Sequence, residues 1–229
     1  MPRTSRSLTG PAVTSGLLMA AYLLLRPYDD AALATTPLVA ARAFASPWWV
    51  VAHCCGALAI ASYGLLALRL RELASGTAAK IARWAALAGV VLVLPYYGAE
   101  TFALHVIAGG ALADPAVLEV PGFLDLISAV REQPVALTSF GAGLLALAVS
   151  GIAAVVTWRG AGLGRPWGMW PLGLGMALLL PQYYLPAAGR MAYGVAYLIT
   201  ALALVASLRG NAGSPGARGI DVPEHHSVR

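Results

Sequence analysis

Residues 84–107 read WAALAGVVLVLPYYGAETFALHVI, an apolar stretch interrupted by one charged residue, Glu100. About 20 mostly apolar residues are enough for a helix to cross the hydrocarbon core of a bilayer. A carboxylate at that depth has no water to bond to, so we expect Glu100 to face the interior of a helical bundle. The stretch therefore predicts a membrane-spanning helix with a polar site beside it.

The composition of the whole chain agrees with a membrane location. Hydrophobic residues make up 59% of it and charged residues only 11%, whereas soluble domains are about 25% charged. The two cysteines, Cys54 and Cys55, are adjacent and predict no disulfide framework. The basic residues are scattered through the connections without the stripe that nucleic-acid binding requires, so no nucleic-acid partner is expected.

We predict an all-α membrane bundle of about six transmembrane helices that forms one domain over residues 1–209. The tail, residues 210–229, is rich in Gly, Ser, Pro and charge and is predicted to be disordered. The predicted spans are residues 11–25, 47–68, 84–107, 134–157, 167–186 and 189–208.

The charges of the connections predict the orientation. If six spans alternate, eleven basic residues fall on the side of the two termini and four on the other side, which also collects most of the acids. Because positively charged connections between membrane helices remain on the cytoplasmic side, both termini are predicted to be cytoplasmic. The protein is predicted to be a multi-pass protein of the cell membrane. On the outer side, residues 120–131 place apolar residues at helical spacing, which predicts an interfacial helix.

Polar residues of distant spans converge at one depth. At about 1.5 Å per residue, Glu100 lies about 24 Å from Trp84, in the outer half, and His53 about 9 Å below the outer interface. The candidate catalytic residues are Glu100, His53, His105 and Arg190, and an ion pair between Glu100 and Arg190 is one expectation. The candidate substrate-binding residues are Tyr96, Tyr97, Thr101, Phe102, Gln182, Tyr183, Tyr184, Tyr193 and Tyr197.

Helix geometry refines this prediction. Tyr96 and Tyr97 precede Glu100 by four and three residues, so they share its face. His105 lies roughly 140° around the helix from Glu100 at about 100° per residue. Pro95 removes one backbone hydrogen bond, so we expect it to kink the helix and widen the space beside Glu100.

One functional hypothesis is an enzyme that acts on a lipophilic small molecule. A carboxylic acid kept neutral by an apolar pocket can act as a general acid, and aromatic faces can stabilise a carbocation. In size and in this kind of site the chain is similar to the small membrane-bound terpenoid cyclases. That resemblance implies proton-initiated cyclisation or isomerisation of an isoprenoid-type substrate, with Glu100 as the acid and no cofactor or metal.

Two alternatives remain open. His53 and His105 lie on neighbouring antiparallel helices and could ligate a b-type haem. A binding or transport protein without chemistry could instead use Glu100, Arg190 and Gln182 to recognise a ligand. Small residues at 141–143 and at Gly151 permit close contact between helices, within the chain or in a homo-oligomer.

Overall fold

The computed structural model describes residues 3–114, 116 and 121–209, and the regular elements of this part are all helical. The predicted all-α class is confirmed, whereas the predicted tail over 210–229 lies outside the described residues. The elements are α1 (Arg3–Leu25), a 3-10 turn (Asp29–Ala32), α2 (Pro37–Ala45), α3 (Pro47–Leu73), α4 (Thr77–Gly98), a π-helical turn (Ala99–Ala103), α5 (Leu104–Ala113), α6 (Pro121–Arg131), α7 (Pro134–Ala161), α8 (Trp170–Ala177), a second 3-10 turn (Pro181–Tyr184) and α9 (Ala187–Arg209).

Five helical stretches are long and apolar enough to cross a membrane, so the protein is a helical membrane bundle. They are Ser7–Leu25, Pro47–Leu73, Thr77–Ala113, Gly122–Ala161 and Ala187–Leu208.

Local sequence signals determine where α3 begins. The Ser46 hydroxyl accepts a hydrogen bond from the backbone N–H of Trp48 at 3.2 Å and so caps α3, while Pro47 occupies the first helical position.

The fifth predicted span, residues 167–186, is not a continuous helix, and the prediction is wrong in this respect. Helix α8 has only eight residues, and a 3-10 turn that begins at Pro181 follows it. Proline breaks the helix here because it lacks a backbone N–H and clashes with the preceding turn. The segment still passes along the bundle: Arg165 N–H donates to the Ser207 carbonyl at 3.4 Å, and the Tyr183 hydroxyl lies 2.9 Å from that of Tyr97.

Helices α1 and α9 pack antiparallel, so their free ends lie at the same end of the bundle. A Cβ atom added at Gly16 would lie 2.7 Å from Ala201, and one added at Gly194 would lie 3.0 Å from Leu23. We call this end, which also carries the connection 74–76, the inner end. The opposite, outer end carries the connections 26–46 and 114–133.

Close approach of backbones joins α7 to its neighbours. A Cβ added at Gly143 would lie 2.7 Å from Val93 and 3.0 Å from the carbonyl oxygen of Gly89. One added at Gly151 would lie 2.8 Å from the carbonyl of Gly173. The predicted small-residue contacts at Gly143 and Gly151 are thus made within the chain, where they allow extensive van der Waals packing.

An apolar cluster of short helices packs against the bundle at its outer end. Helices α2, α5 and α6 bury Phe44, Leu104, Phe123 and Ile127 against Trp49 of α3. The prediction of a helix over 120–131 is confirmed for Pro121–Arg131, and Val120 lies outside the described residues. Its apolar face packs on the bundle, which places Arg131, at its C-terminal end, beside the membrane-spanning helices.

Candidate functional site

A cavity of about 510 Å³ lies at the outer end of the bundle, and we call it the outer cavity. Charged residues and aromatic rings share its walls. The connection after α1, α4, the π turn, α6, α7, the second 3-10 turn and the start of α9 contribute residues. The lining residues are Arg26, Tyr28, Asp30, Ala31, Tyr96, Glu100, Arg131, Glu132, Leu137, Phe140, Tyr183, Leu185, Pro186, Ala187 and Arg190.

A π-helical turn presents Glu100 to this cavity. The turn runs from Ala99 to Ala103, just beyond Pro95, where the sequence predicted a kink. A wide turn leaves backbone carbonyls without their usual helical partners. The Glu100 carbonyl accepts a hydrogen bond from Trp49 Nε1 at 3.0 Å, and the Thr101 hydroxyl donates to the Tyr97 carbonyl at 2.5 Å. The distortion is thereby held by side chains.

Four charged side chains form one connected network, which we call the charged network. Arg131 Nη2 donates to Glu100 Oε1 at 2.8 Å and to Asp30 Oδ2 at 2.8 Å. The same oxygen of Asp30 accepts from Arg26 Nη2 at 2.7 Å. The exposed fractions of these side chains range from 5% for Arg26 to 22% for Arg131. Two acids and two arginines balance, so the network buries no net charge.

Aromatic rings surround both arginines of the network. The Arg26 guanidinium carbon lies 5.1 Å from the ring centre of Trp49 and 5.5 Å from that of Tyr28. Arg131 lies 5.1 Å from the ring centre of Phe44. Contacts of this kind stabilise a cation by about 0.5–2 kcal/mol, depending on its desolvation. Burial raises the pKa of Tyr28 to about 12, so its phenol is neutral and donates to the Leu23 carbonyl at 2.8 Å.

Stacked aromatic rings form part of the cavity lining, which we call the aromatic wall. The rings of Tyr96 and Phe140 stack with their centres 4.5 Å apart, and the rings of Phe140 and Tyr183 meet edge to face with their centres 5.5 Å apart. The Tyr97 and Tyr183 hydroxyls are hydrogen-bonded at 2.9 Å. One tyrosine of each doublet, 86 residues apart in the chain, therefore meets the other at this wall.

Arg190 lines the outer cavity but does not pair with Glu100, so that expected ion pair is wrong. Arg190 Nε donates to the Leu185 carbonyl at 3.0 Å, and Nη2 donates to the Tyr183 carbonyl. The broken helix before α9 leaves these carbonyls available. Glu100 is instead satisfied by Arg131. Among the described residues, Arg190 has no carboxylate partner within salt-bridge distance.

The two candidate histidines have different surroundings, and neither lines the outer cavity. His53 is fully buried, with Nδ1 2.7 Å from the Trp49 carbonyl and its ring centre 4.1 Å from the Trp49 ring. Its Nε2 is buried without a hydrogen-bond partner among the described residues. His105 places Nδ1 2.9 Å from the Phe44 carbonyl. The haem alternative thus remains a prediction.

The structure brings only part of the remaining candidate set to the cavity: Tyr96 and Tyr183 line it, and Tyr97 lies directly behind. Phe102 and Tyr184 are 57% and 85% exposed on the surface of the bundle. The other candidates lie elsewhere. Thr101 is buried in the π turn, and the buried Gln182 side chain has no hydrogen-bond partner among the described residues. The partly buried Tyr193 donates to the Gly175 carbonyl at 2.8 Å, and the buried Tyr197 hydroxyl lies 3.1 Å from that of Ser15.

Sequence reasoning missed the partners of Glu100. These partners are Arg26, Asp30 and Arg131. All three lie in the outer connections, where the sequence analysis used their charges only to predict the orientation in the membrane. One signal was available: Arg26 and Asp30 are four residues apart directly after an apolar helix, a spacing that allows an ion pair. For Arg131 the signal was its place at the end of an amphipathic segment.

The described residues contain no group of three His, Cys, Asp or Glu side chains that could hold a metal ion. In comparisons with known proteins, no family model matches the chain, and none of the curated proteins or solved structures matches it. The functional argument therefore depends on the geometry of the site.

Proposed function

We propose that the protein binds a small amphipathic molecule in the outer cavity. The observation that carries this proposal is the cavity itself, whose lining combines charged side chains with stacked aromatic rings. Ligand sites in proteins typically combine a largely apolar lining with a few oriented polar groups. A volume of about 510 Å³ accommodates a small organic molecule.

In this proposal Glu100 orients Arg131 and does not transfer a proton. A general acid must carry a proton before it reacts, whereas Glu100 accepts a charge-assisted hydrogen bond from Arg131, an interaction of the ionised carboxylate. The charged network thus forms a fixed wall that prepares the cavity for a ligand.

The polar head of the ligand would contact Arg190. Its guanidinium is held by two backbone carbonyls and has no carboxylate partner among the described residues. Glu132, the remaining acid of the lining, is exposed to solvent. An anionic, acceptor-rich head therefore suits this position, and the apolar part of the ligand would lie against Phe140 and Tyr96.

The cell membrane is the proposed location, with the inner end facing the cytoplasm. The basic residues of the inner end support this orientation because positively charged connections remain on the cytoplasmic side. The outer cavity would then open toward the extracytoplasmic half of the bilayer.

The test compares small molecules extracted from gently purified protein by mass spectrometry. Ala31→Trp places a large ring at the lining of the outer cavity, and Ala34→Trp places the same ring on an exposed part of the same connection that does not line it. We expect a compound that co-purifies with the wild type and with Ala34→Trp but is depleted in Ala31→Trp. If no compound is enriched, or both variants retain it equally, the cavity is not its binding site.

The same preparation distinguishes the other functions. A haem would give a strong visible absorption band, and its absence from folded protein would exclude the haem alternative. Conversion of an added isoprenoid alkene into an isomer or a ring product would instead favour the enzyme. The tyrosine-rich wall is the feature that supports catalysis, because aromatic faces stabilise cations.

A further inference from the structure

A second polar cavity, of about 520 Å³, lies at the inner end between the end of α3 and the beginning of α4. We call it the inner cavity. Its lining contains three arginines and only one acid, together with two leucines. The residues are Leu65, Leu68, Arg69, Arg71, Glu72 and Arg83. Because α3 and α4 each cross the bundle, this cavity and the outer cavity lie at opposite ends.

Only one of these arginines has a carboxylate partner among the described residues. Arg69 Nη1 lies 3.0 Å from Glu72 Oε2, and the two side chains are 46% and 60% exposed. Arg71 Nη1 donates to the Ala74 carbonyl at 3.0 Å and forms no ion pair among the described residues. The cavity lining therefore carries more arginines than acids.

Arg83 provides the second observation that points to a ligand. Its guanidinium carbon lies 4.9 Å from the ring centre of Trp84, a cation–π distance. Its Nε is buried and has no hydrogen-bond partner among the described residues. A buried donor without an acceptor is unfavourable, so an acceptor supplied by a ligand would relieve it.

We propose that the inner cavity binds the phosphate group of an anionic phospholipid from the inner leaflet, between Arg71 and Arg83. Planar guanidinium groups match phosphate oxygens and form charge-assisted hydrogen bonds with them. Leu65 and Leu68 continue the lining toward the membrane and contact the first methylenes of the acyl chains. Trp84, 61% exposed, lies beside the cavity where indoles favour the membrane interface.

The test uses the purified full-length chain in a neutral detergent and native mass spectrometry. Phosphatidylglycerol and phosphatidylcholine with identical acyl chains are titrated separately, and inorganic phosphate is added as a competitor. Both lipids carry the same phosphate group, but the unpaired arginines repel the choline cation of phosphatidylcholine. We therefore expect phosphatidylglycerol to bind about tenfold more tightly. Equal binding of the two lipids would overturn the proposal. Full displacement by millimolar inorganic phosphate would also overturn the lipid as the occupant and assign the site to a soluble phosphate.

Variants locate the site. Arg71→Gln with Arg83→Gln should abolish the preference for phosphatidylglycerol, whereas Arg159→Gln, which removes a charge at the same end outside this cavity, should retain it. If the glutamine pair does not fold, Arg71→Lys with Arg83→Lys preserves the charge and should bind more weakly because it lacks the guanidinium fork. An equal loss in Arg159→Gln would show that general surface charge attracts the lipid, and would overturn the assigned site.

Discussion

The inner half and the outer end of the bundle join their helices by different polar contacts. In the inner half, the Ser150 hydroxyl donates to the Ala82 carbonyl at 2.7 Å and lies 3.1 Å from the Tyr63 hydroxyl, so that uncharged groups link α3, α4 and α7. At the outer end, ion pairs of Arg131 join α6 to the 3-10 turn after α1 and to the π turn. The first arrangement leaves the helices closely packed, and the second borders a cavity.

This difference indicates where the chain has room for a ligand. Uncharged hydroxyls satisfy backbone carbonyls locally and are inexpensive to bury, whereas charges need partners and are retained in membrane proteins mainly at functional sites. The charged network has all its ionic groups paired and still faces open space. We therefore expect the close helix contacts of the inner half to act as the frame and the outer cavity to carry recognition of the amphipathic ligand.

The largest expected effect follows from breaking the charged network. Arg131→Gln removes the partner of Glu100 and one partner of Asp30, which should lower the free energy of unfolding by about 3 kcal/mol. Denaturation in mixed micelles measures it. Glu100→Gln combined with Arg131→Gln should recover part of the loss, because no buried charge is then left alone. A loss in Arg131→Gln no larger than that in Tyr63→Phe would refute the contrast between the two regions.

A smaller effect is expected from adding a methyl group where two helices of the frame are in close contact. Gly143→Ala places a methyl group 2.7 Å from Val93 and 3.0 Å from the Gly89 carbonyl, which should destabilise the protein by about 1–3 kcal/mol. Gly141→Ala is the matched control because no atom lies within 4 Å of the added carbon. Thermal unfolding of both variants should separate them, and equal melting temperatures would contradict the close packing of α4 on α7.

Removal of one hydroxyl from the inner half should have a still smaller effect. Tyr63→Phe eliminates the contact with Ser150 while Ser150 keeps its bond to the Ala82 carbonyl. Hydrogen bonds between membrane helices contribute about 0.6 kcal/mol on average, and we expect a loss of that size. Tyr184→Phe, at a side chain that is 85% exposed, should leave the unfolding free energy unchanged. A loss above that of Gly143→Ala would mean that the hydroxyl contact, and not packing, dominates the frame.

The smallest effect is expected for an exposed ion pair. Arg69→Gln breaks the pair with Glu72, whose side chain is 60% exposed, and should cost less than about 0.5 kcal/mol in zwitterionic detergent. Comparison with Arg131→Gln then isolates the effect of burial, since both variants remove an arginine from an acid. Similar losses in the two variants would show that burial does not distinguish the ion pairs.

Much of the fold could be predicted because apolar length and proline position act locally. Residues 47–68 and 134–157 lie within the helices that begin at Pro47 and Pro134. Pro95, where the sequence predicts a kink, lies inside α4, and a π turn begins four residues later at Ala99. The span over 167–186 was predicted from its length and hydropathy. Length and hydropathy do not determine whether a segment rich in glycine and proline is helical. Its interruption at Pro181 depends on what packs beside it.

The position of the candidate site could be predicted from the sequence, but only some of the residues that line it could. Glu100, Tyr96, Tyr183 and Arg190 do line one cavity. The partner chosen for Glu100 was wrong because depth along a helix does not specify which neighbour reaches it. Arg131 lies 31 residues away in the chain, and only the packing of α6 brings it to hydrogen-bond distance.

The amino-acid sequence by itself determined that this chain enters a membrane, where most of its long helices lie, and that a carboxylate must be accommodated inside the bundle. Those properties follow from the free energy of transferring side chains into lipid, which each segment carries independently of the others. Tertiary structure alone decided that Glu100 pairs with Arg131, that Arg190 is left facing a cavity, and that Tyr97 meets Tyr183. These contacts join residues far apart in the chain, so they exist only once the helices have packed in a particular arrangement.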